Sequence, residues 1–233
     1  MTHTFKDNQA VATAFAKYLA EQIEQSTTFH IALSGGSTPK VLFKLLAEQY
    51  ANKVDWKKVH LFWGDERCVS PTDADSNYGM TKEKLLDHIT IPFVNVHRVL
   101  GSRKPAEEAI RYGKEIQWCL PEEGGLPVFD LVMLGMGSDG HTASIFPHQM
   151  ELLTTNDICG IATHPEFGQK RVTLTGKVIN HAKQIHFLVT GRSKKEKVRE
   201  IFNQTGNYKA YPAAHVEKAV WWMDEAASGT QVA

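Results

Sequence analysis

Apolar side chains recur along the chain with two spacings, one typical of helices and one typical of buried strands. Spacings of three or four residues predict helices over 8–25, 41–46, 77–88, 105–120 and 193–202. Short apolar runs predict strands over 29–33, 59–63, 129–134 and 185–190, with weaker extended runs at 94–99, 158–163, 171–175 and 220–223. Helices and strands therefore alternate along most of the chain.

This alternation predicts the α/β class, with a mostly parallel sheet that is covered by helices on both faces. A chain of 233 residues fits one such domain, because a single core still suffices at this size. Residues 142–183 show the least regular pattern, and we expect them to form a small irregular subsidiary region. The sequence contains no low-complexity linker and no internal repeat.

Composition narrows the function classes. The 26 basic and 26 acidic residues balance, so no bulk charge favours a nucleic acid or membrane partner. Cys68, Cys119 and Cys159 lie far apart, which suggests neither a disulfide framework nor a zinc cluster. The start MTHTFKDNQ lacks a signal-peptide pattern, and no apolar stretch approaches about eighteen residues. We therefore expect a soluble cytoplasmic protein without a metal site.

The most informative stretch is FDLVMLGMGSDGHTASIFP, residues 129–147. Its apolar run predicts a strand that breaks at Gly135 and Gly137, followed by a turn that carries Asp139 and His141 and opens a short helix. Ligands of α/β proteins bind beyond the carboxyl ends of the strands, which places both side chains at the expected working edge. A carboxylate two residues from an imidazole can hold one ring nitrogen and leave the other free as a base.

Two other interpretations of this stretch stay open. Its glycines match the dinucleotide fingerprint G-x-G-x-x-G, but Pro147 would cut the following helix short, and Asp157 stands before the next apolar run rather than at its end. His141 could also be a solvated loop residue. We favour a catalytic histidine.

The segment SGGSTP, residues 34–39, stands between a predicted strand and a predicted helix. Gly35 and Gly36 let backbone N–H groups approach an anion, and Ser37 and Thr38 add hydroxyl donors. The helix dipole would complete a phosphate cradle, although an ordinary turn with a Ser or Thr cap remains the alternative. The triphosphate-binding pattern G-x-x-x-x-G-K-[ST] is absent.

Three cations stand near other predicted strand ends. Arg67 belongs to GDER, which follows the strand VHLFW, and Arg171 begins RVTLT. Lys194 lies at the start of the helix that follows QIHFLVT. These side chains are candidates for an anionic group or a carbonyl oxygen, since charged N–H donors bind both strongly. A solvated loop is the alternative for GDER.

Taken together, LSGGSTP, GDER, GMGSDGHTASIFP, RVTLT and VTGRSKKE resemble, in this order, the 6-phosphogluconolactonase family. The resemblance covers about residues 7–224. It implies a Rossmann-like fold that is shared with glucosamine-6-phosphate deaminases. It also implies hydrolysis of 6-phosphoglucono-1,5-lactone, a phosphosugar lactone, in the pentose phosphate pathway. The implied chemistry requires no cofactor, and the chain could be a monomer or a homodimer.

The resemblance also assigns roles by position. His141 would activate water, and Asp139 would orient it. The substrate phosphate would lie near Ser37, Arg171, Lys194 and the Gly35–Gly36 backbone. Arg67 would contact either the phosphate or the lactone carbonyl, and Asp65 stands where the deaminases keep a proton-shuttling carboxylate.

Two alternative functions follow from the same fold. A glucosamine-6-phosphate deaminase or sugar-phosphate isomerase resembles the chain, but the deaminases carry a glutamate where Phe146 stands and M-D-E-Y in place of GDER. A non-catalytic sugar-phosphate sensor would use the cradle without requiring Asp139 and His141. Such a sensor would normally add a DNA-binding segment, and no stretch resembles a basic helix-turn-helix.

Overall fold

The computed structural model describes residues 1–230. Its strands are β1 (Thr2–Phe5), β2 (Phe29–Leu33), β3 (Val59–Trp63), β4 (Asp65–Arg67), β5 (Val96–His97), β6 (Glu122–Glu123), β7 (Leu126–Pro127), β8 (Leu131–Leu134), β9 (Cys159–Thr163), β10 (Lys170–Leu174), β11 (Ile185–Val189) and β12 (Val220–Asp224). Its α-helices are α1 (Asn8–Glu24), α2 (Ser37–Tyr50), α3 (Asn77–Lys84), α4 (Pro105–Cys119), α5 (Gly176–Asn180), α6 (Lys195–Asn203) and α7 (Glu225–Ser228).

Seven strands form the central sheet in the order β1-β12-β11-β8-β2-β3-β5, and every neighbouring pair is parallel. Side chains of β2 alternate between its faces, as a pleated strand requires. Ile31 and Leu33 pack in the same buried cluster as α1 and α2, whereas Ala32 belongs to the cluster that contains α4. Helices therefore cover both faces, which confirms the predicted fold class.

The irregular region contributes two strands to a second, three-stranded antiparallel sheet in the order β4-β10-β9. β10 runs antiparallel to β4, so a strand of the GDER segment joins two strands of the region 142–183. This small sheet is subsidiary to the central one, as the predicted fold class states, whereas a separate unit over 142–183 stays a prediction. Sequence reasoning treated GDER as a loop and did not anticipate that β4 would pair with β10.

The structure corrects two local predictions. No α-helix follows His141, because Thr142 and Ile145 pair as an isolated bridge and the intervening Ala143 has φ +47°. Thr142 Oγ1 donates to Gly135 O at 2.9 Å, which holds this turn against the end of β8. The first strand, β1, was not predicted because THTF is largely polar, yet it pairs with β12 at the sheet edge.

Candidate active site

The predicted site residues converge where β2, β3, β8 and β11 end. A cavity of about 200 Å³ opens there. Seven of the predicted residues line it: Gly35, Gly36, Asp65, Arg67, His141, Arg171 and Lys194. Residues from distant parts of the sequence thus meet at one edge, because parallel strands bring their carboxyl ends together.

Asp139 and His141 form a hydrogen-bonded pair beside this cavity. Asp139 Oδ1 lies 2.6 Å from His141 Nδ1 and accepts the His141 backbone N–H at 3.1 Å. An ionised carboxylate only accepts, so Nδ1 carries the imidazole proton and Nε2 is left as the basic nitrogen. The His141 side chain is one quarter exposed, which lets solvent reach it. The arrangement can therefore accept a proton from water.

Charge and packing keep this pair in place. Burial raises the pKa of Asp139, but the hydrogen bonds and charge of His141 outweigh burial and bring it to about 2. Asp139 is thus ionised at neutral pH. Gly137 lies directly beneath the pair, because a Cβ at that position would come within 2.2 Å of His141 Nδ1. A side chain there would force the imidazole out of position.

Asp65 is buried at the cavity and is bonded to a residue that sequence analysis did not single out. Ser144 Oγ donates to Asp65 Oδ2 at 2.6 Å and accepts from Arg171 Nη1 at 3.4 Å. Ser144 itself is fully buried. The sequence shows that Ser144 belongs to the stretch 129–147. Its hydrogen bonds to Asp65 and Arg171 could not be predicted, because they depend on the β4–β10 pairing.

Arg67 and Arg171 stand directly opposite each other on β4 and β10. The Nε atoms of both are buried and have no hydrogen-bond partner within residues 1–230. Burial lowers the pKa of Arg171, and the nearby Asp65 charge counters that effect. Like charges in facing positions repel each other, so an anionic ligand would relieve this pair.

The segment between β2 and α2 lines the cavity with its backbone, whereas the hydroxyl of Thr38 does not reach the cavity. A Cβ on Gly35 would come within 1.8 Å of Asn77 Oδ1, and Gly36 has φ +109°. Ser37 is the exposed first residue of α2. Thr38 is buried, and its hydroxyl shares a 2.7 Å hydrogen bond with Thr190 rather than lining the cavity. Of the predicted residues in this segment, Gly35 and Gly36 therefore line the cavity, and Ser37 and Thr38 do not.

Glu66 holds the start of α3 beside the cavity. Glu66 points away from the cavity and accepts the backbone N–H groups of Asn77 and Tyr78 at 2.8 and 2.7 Å. Ser76 caps α3, as its sequence position indicates, by accepting the Gly79 N–H at 2.9 Å. Asn77 also lines the cavity and donates through Nδ2 to Asp65 O at 2.9 Å. Sequence analysis did not place this side chain at the site.

Lys194 completes the cavity from the start of α6, as predicted. Burial lowers the pKa of Lys194, and the negative charge of Asp139 acts in the opposite direction. Within residues 1–230, no three His, Cys, Asp or Glu side chains converge as a metal-binding group. Over the same residues, no helix is both long and apolar enough to cross a bilayer.

Comparison with known proteins places this chain in a family. The model of glucosamine-6-phosphate isomerases/6-phosphogluconolactonase matches residues 6–223. The chain belongs to this family. A curated 6-phosphogluconolactonase of Haemophilus influenzae is 46% identical over 203 residues, which are 85% of each chain. The family resemblance seen in the sequence motifs is thereby confirmed.

Solved structures agree with the family assignment. The chain is similar to the structure of 6-phosphogluconolactonase from Trypanosoma brucei, with a TM-score of 0.87 and 30% identity over 100% of this chain and 98% of the other. A monomeric glucosamine-6-phosphate deaminase matches with a TM-score of 0.83 over 99% of both chains. Its identity is only 18%, so this likeness shows the fold alone.

Proposed function

We propose that the chain hydrolyses 6-phosphoglucono-1,5-lactone to 6-phosphogluconate, with His141 as the base that activates water. The observation that carries this mechanism is the Asp139–His141 pair, which leaves Nε2 of His141 free beside a cavity lined by three cations. Curated relatives carry the 6-phosphogluconolactonase name, in agreement with the activity expected from the sequence. The mechanism and the residue roles are our proposal.

In the proposed reaction, Nε2 of His141 takes a proton from water while the water oxygen attacks the lactone carbonyl. The tetrahedral oxyanion then collapses, the bond from C1 to the ring oxygen breaks, and the ring oxygen takes up the proton from His141. A δ-lactone is an activated ester, so this path requires no covalent nucleophile. A positioned base contributes about 10²–10⁴-fold.

Arg67, Arg171 and Lys194 would bind the phosphate and stabilise the oxyanion, with the Gly35–Gly36 backbone against the phosphate. Arg67 and Arg171 stand on one face of the small sheet with their Nε atoms buried and unpaired among residues 1–230, which favours a common anionic partner. Binding the remote phosphate would hold the lactone ring at the base. Asp65, fixed by Ser144, would orient the Arg171 guanidinium rather than move protons.

The alternative function, a glucosamine-6-phosphate deaminase, would require a proton-transferring side chain at position 146, and this chain has none there. Phe146 is fully buried, and its ring packs against the His141 ring with centroids 4.7 Å apart. A phenyl ring cannot carry out the proton transfer assigned to the deaminase glutamate. A sensor would have no need for the Asp139–His141 pair.

The decisive assay follows 6-phosphogluconate release from freshly prepared lactone, corrected for spontaneous hydrolysis at each pH. We expect rapid turnover that a chelator does not change, and no ammonia from glucosamine 6-phosphate. Ammonia release with inert lactone would overturn the proposal. We further propose a cytoplasmic location, which the three free cysteines support, and a monomer or homodimer.

A further inference from the structure

His164 lies at the end of β9, on the hairpin that leads into β10, and no role in the reaction has been assigned to it above. The hairpin is closed by bonds from His164 N to Gln169 O at 2.9 Å and from Gly168 N to His164 O at 3.0 Å. Gln169 Nε2 also donates to Asp75 Oδ2 at 2.9 Å, which ties the hairpin to the loop that precedes α3. The position of His164 is therefore well defined.

The imidazole of His164 is not part of the cavity lining itself and is linked to the proposed active site through Phe146. It meets the Phe146 ring edge-on, with centroids 5.4 Å apart. The same Phe146 ring contacts His141 at 4.7 Å and lies 5.4 Å from the Arg171 guanidinium carbon. The base, a buried cation and His164 are thus grouped around one phenyl ring.

One ring N–H donor of His164 has no hydrogen-bond partner among residues 1–230. Its Nδ1 accepts the backbone N–H groups of Glu166 at 3.3 Å and Phe167 at 3.4 Å. The ring proton must then reside on Nε2, which has no hydrogen-bond partner among the described residues 1–230. Burial and the positive charge of Arg171 lower the pKa of His164, so the ring is neutral at neutral pH.

We propose that His164 donates its Nε2–H to a ring hydroxyl of the lactone and so contributes to sugar specificity. This inference rests on the proposed function. Three cations already serve the anionic groups of that substrate, and the carbonyl belongs at His141. The parts of the substrate left to be recognised are neutral hydroxyls, for which a neutral N–H donor is suited.

Two variants separate this role from a structural one. His164→Asn keeps an acceptor for the Glu166 and Phe167 N–H groups but removes the Nε2–H donor. His164→Phe also removes that donor and keeps the ring contact with Phe146. His148→Asn is the matched control, since this exposed histidine also stacks on Phe146, with centroids 5.8 Å apart. Thermal unfolding verifies that all three variants are folded.

The measurement is kcat/KM on the phosphorylated lactone and on its 2-, 3- and 4-deoxy analogues. Both His164 variants should lose about 3- to 10-fold on the parent lactone, the effect of one neutral hydrogen bond. The loss should vanish on the one analogue that lacks the bonded hydroxyl and persist on the other two. Wild-type rates in the variants, equal losses on every analogue, or an equal loss in His148→Asn would overturn the inference.

A second readout keeps this inference separate from the proposed function. Affinity for 6-phosphogluconate, measured by calorimetry, should fall by a similar factor in His164→Asn and stay unchanged in His148→Asn. A wild type that leaves the lactone intact would refute the proposed hydrolysis alone. Unchanged product affinity in His164→Asn would refute the role of His164 alone.

Discussion

Arg67 and Arg171 face each other across the β4–β10 pair, and each keeps a buried Nε atom that no residue in 1–230 engages. Neighbouring groups do hold other parts of these side chains. Arg67 Nη1 donates to Asp75 O at 2.6 Å, and Arg171 Nη1 donates to Ser144 Oγ. Both guanidinium groups are thus held in place by neighbours while their Nε atoms stay available, as the proposed shared binding of an anion requires.

The first prediction concerns substrate charge. Arg171→Ala and Lys194→Ala should lower kcat/KM on the phosphorylated lactone by about 10- to 10²-fold, since a charged hydrogen bond contributes about 1.5–3 kcal/mol and the phosphate would lose its anchor. Both variants should change kcat/KM on plain glucono-1,5-lactone much less. Steady-state assays on the two lactones make the comparison. Equal losses on both lactones would show that these residues do not bind the phosphate, and would indicate that they act at the lactone carbonyl instead.

The second prediction concerns the base. His141→Ala should lower kcat by about 10²–10⁴-fold with substrate binding mostly retained, and Asp139→Asn should cause an equal or smaller loss. Because the pKa of Asp139 lies at about 2, this carboxylate stays ionised from pH 4 upward. Protonation of Asp139 therefore does not contribute to any change of wild-type kcat/KM above pH 4. Near-wild-type kcat in a folded His141→Ala would make Asp65 the next candidate.

The third prediction concerns Ser144. Ser144→Ala removes the hydroxyl between Asp65 and Arg171 and should lower kcat/KM by about 10-fold, with a stability loss of about 1–3 kcal/mol from the unsatisfied carboxylate. Thr175→Val is the matched control, because Thr175 Oγ1 is equally buried and donates to Asp157 O at 2.7 Å, away from the cavity. Denaturant melts and kinetics are compared side by side. A similar kinetic loss in both variants would mean that destabilisation alone explains the effect.

The fourth prediction concerns stability in acid. Burial lowers the pKa of His186 to about 4, and burial together with the neighbours His30 and His97 does the same for His60. The unfolded chain, with ordinary histidine pKa values near 6.5, then binds more protons than the folded chain between pH 4 and 6.5. The stabilisation that comes from keeping these two histidines neutral should thus be fully present above pH 6.5. It should decrease as the pH falls, by at most about 1.4 kcal/mol per pH unit and group.

Urea unfolding at pH 7, 6, 5 and 4.5 checks this prediction. His60→Phe cannot take up the proton, so its unfolding free energy should depend less steeply on pH over the same range, whatever its stability at pH 7. A slope equal to that of the wild type would exclude His60 as a contributor.

Sequence analysis anticipated those elements and site residues that depend on local pattern. The strands β2, β3 and β11 carry apolar runs, and the residues that follow such runs reach the cavity through the geometry of a parallel sheet. It missed β1 because an edge strand needs little apolar surface. It also predicted a helix after His141, where Thr142 and Ser144 instead make polar contacts with Gly135 and Asp65. The conformation of that segment depends on side-chain contacts with residues far away in the sequence. The local spacing of apolar residues cannot predict such contacts.

The contacts that hold the Asp139–His141 pair lie within one tight turn, whereas the Arg67–Arg171 pair exists only once two strands from distant parts of the sequence have joined. The proposed base is therefore held by short-range contacts, and the proposed phosphate site is assembled by long-range ones. A chain in which β4 and β10 have not yet paired could already hold the imidazole correctly and still fail to retain a phosphorylated sugar. Recognition can for the same reason be altered on the small sheet while the turn that carries the base remains untouched.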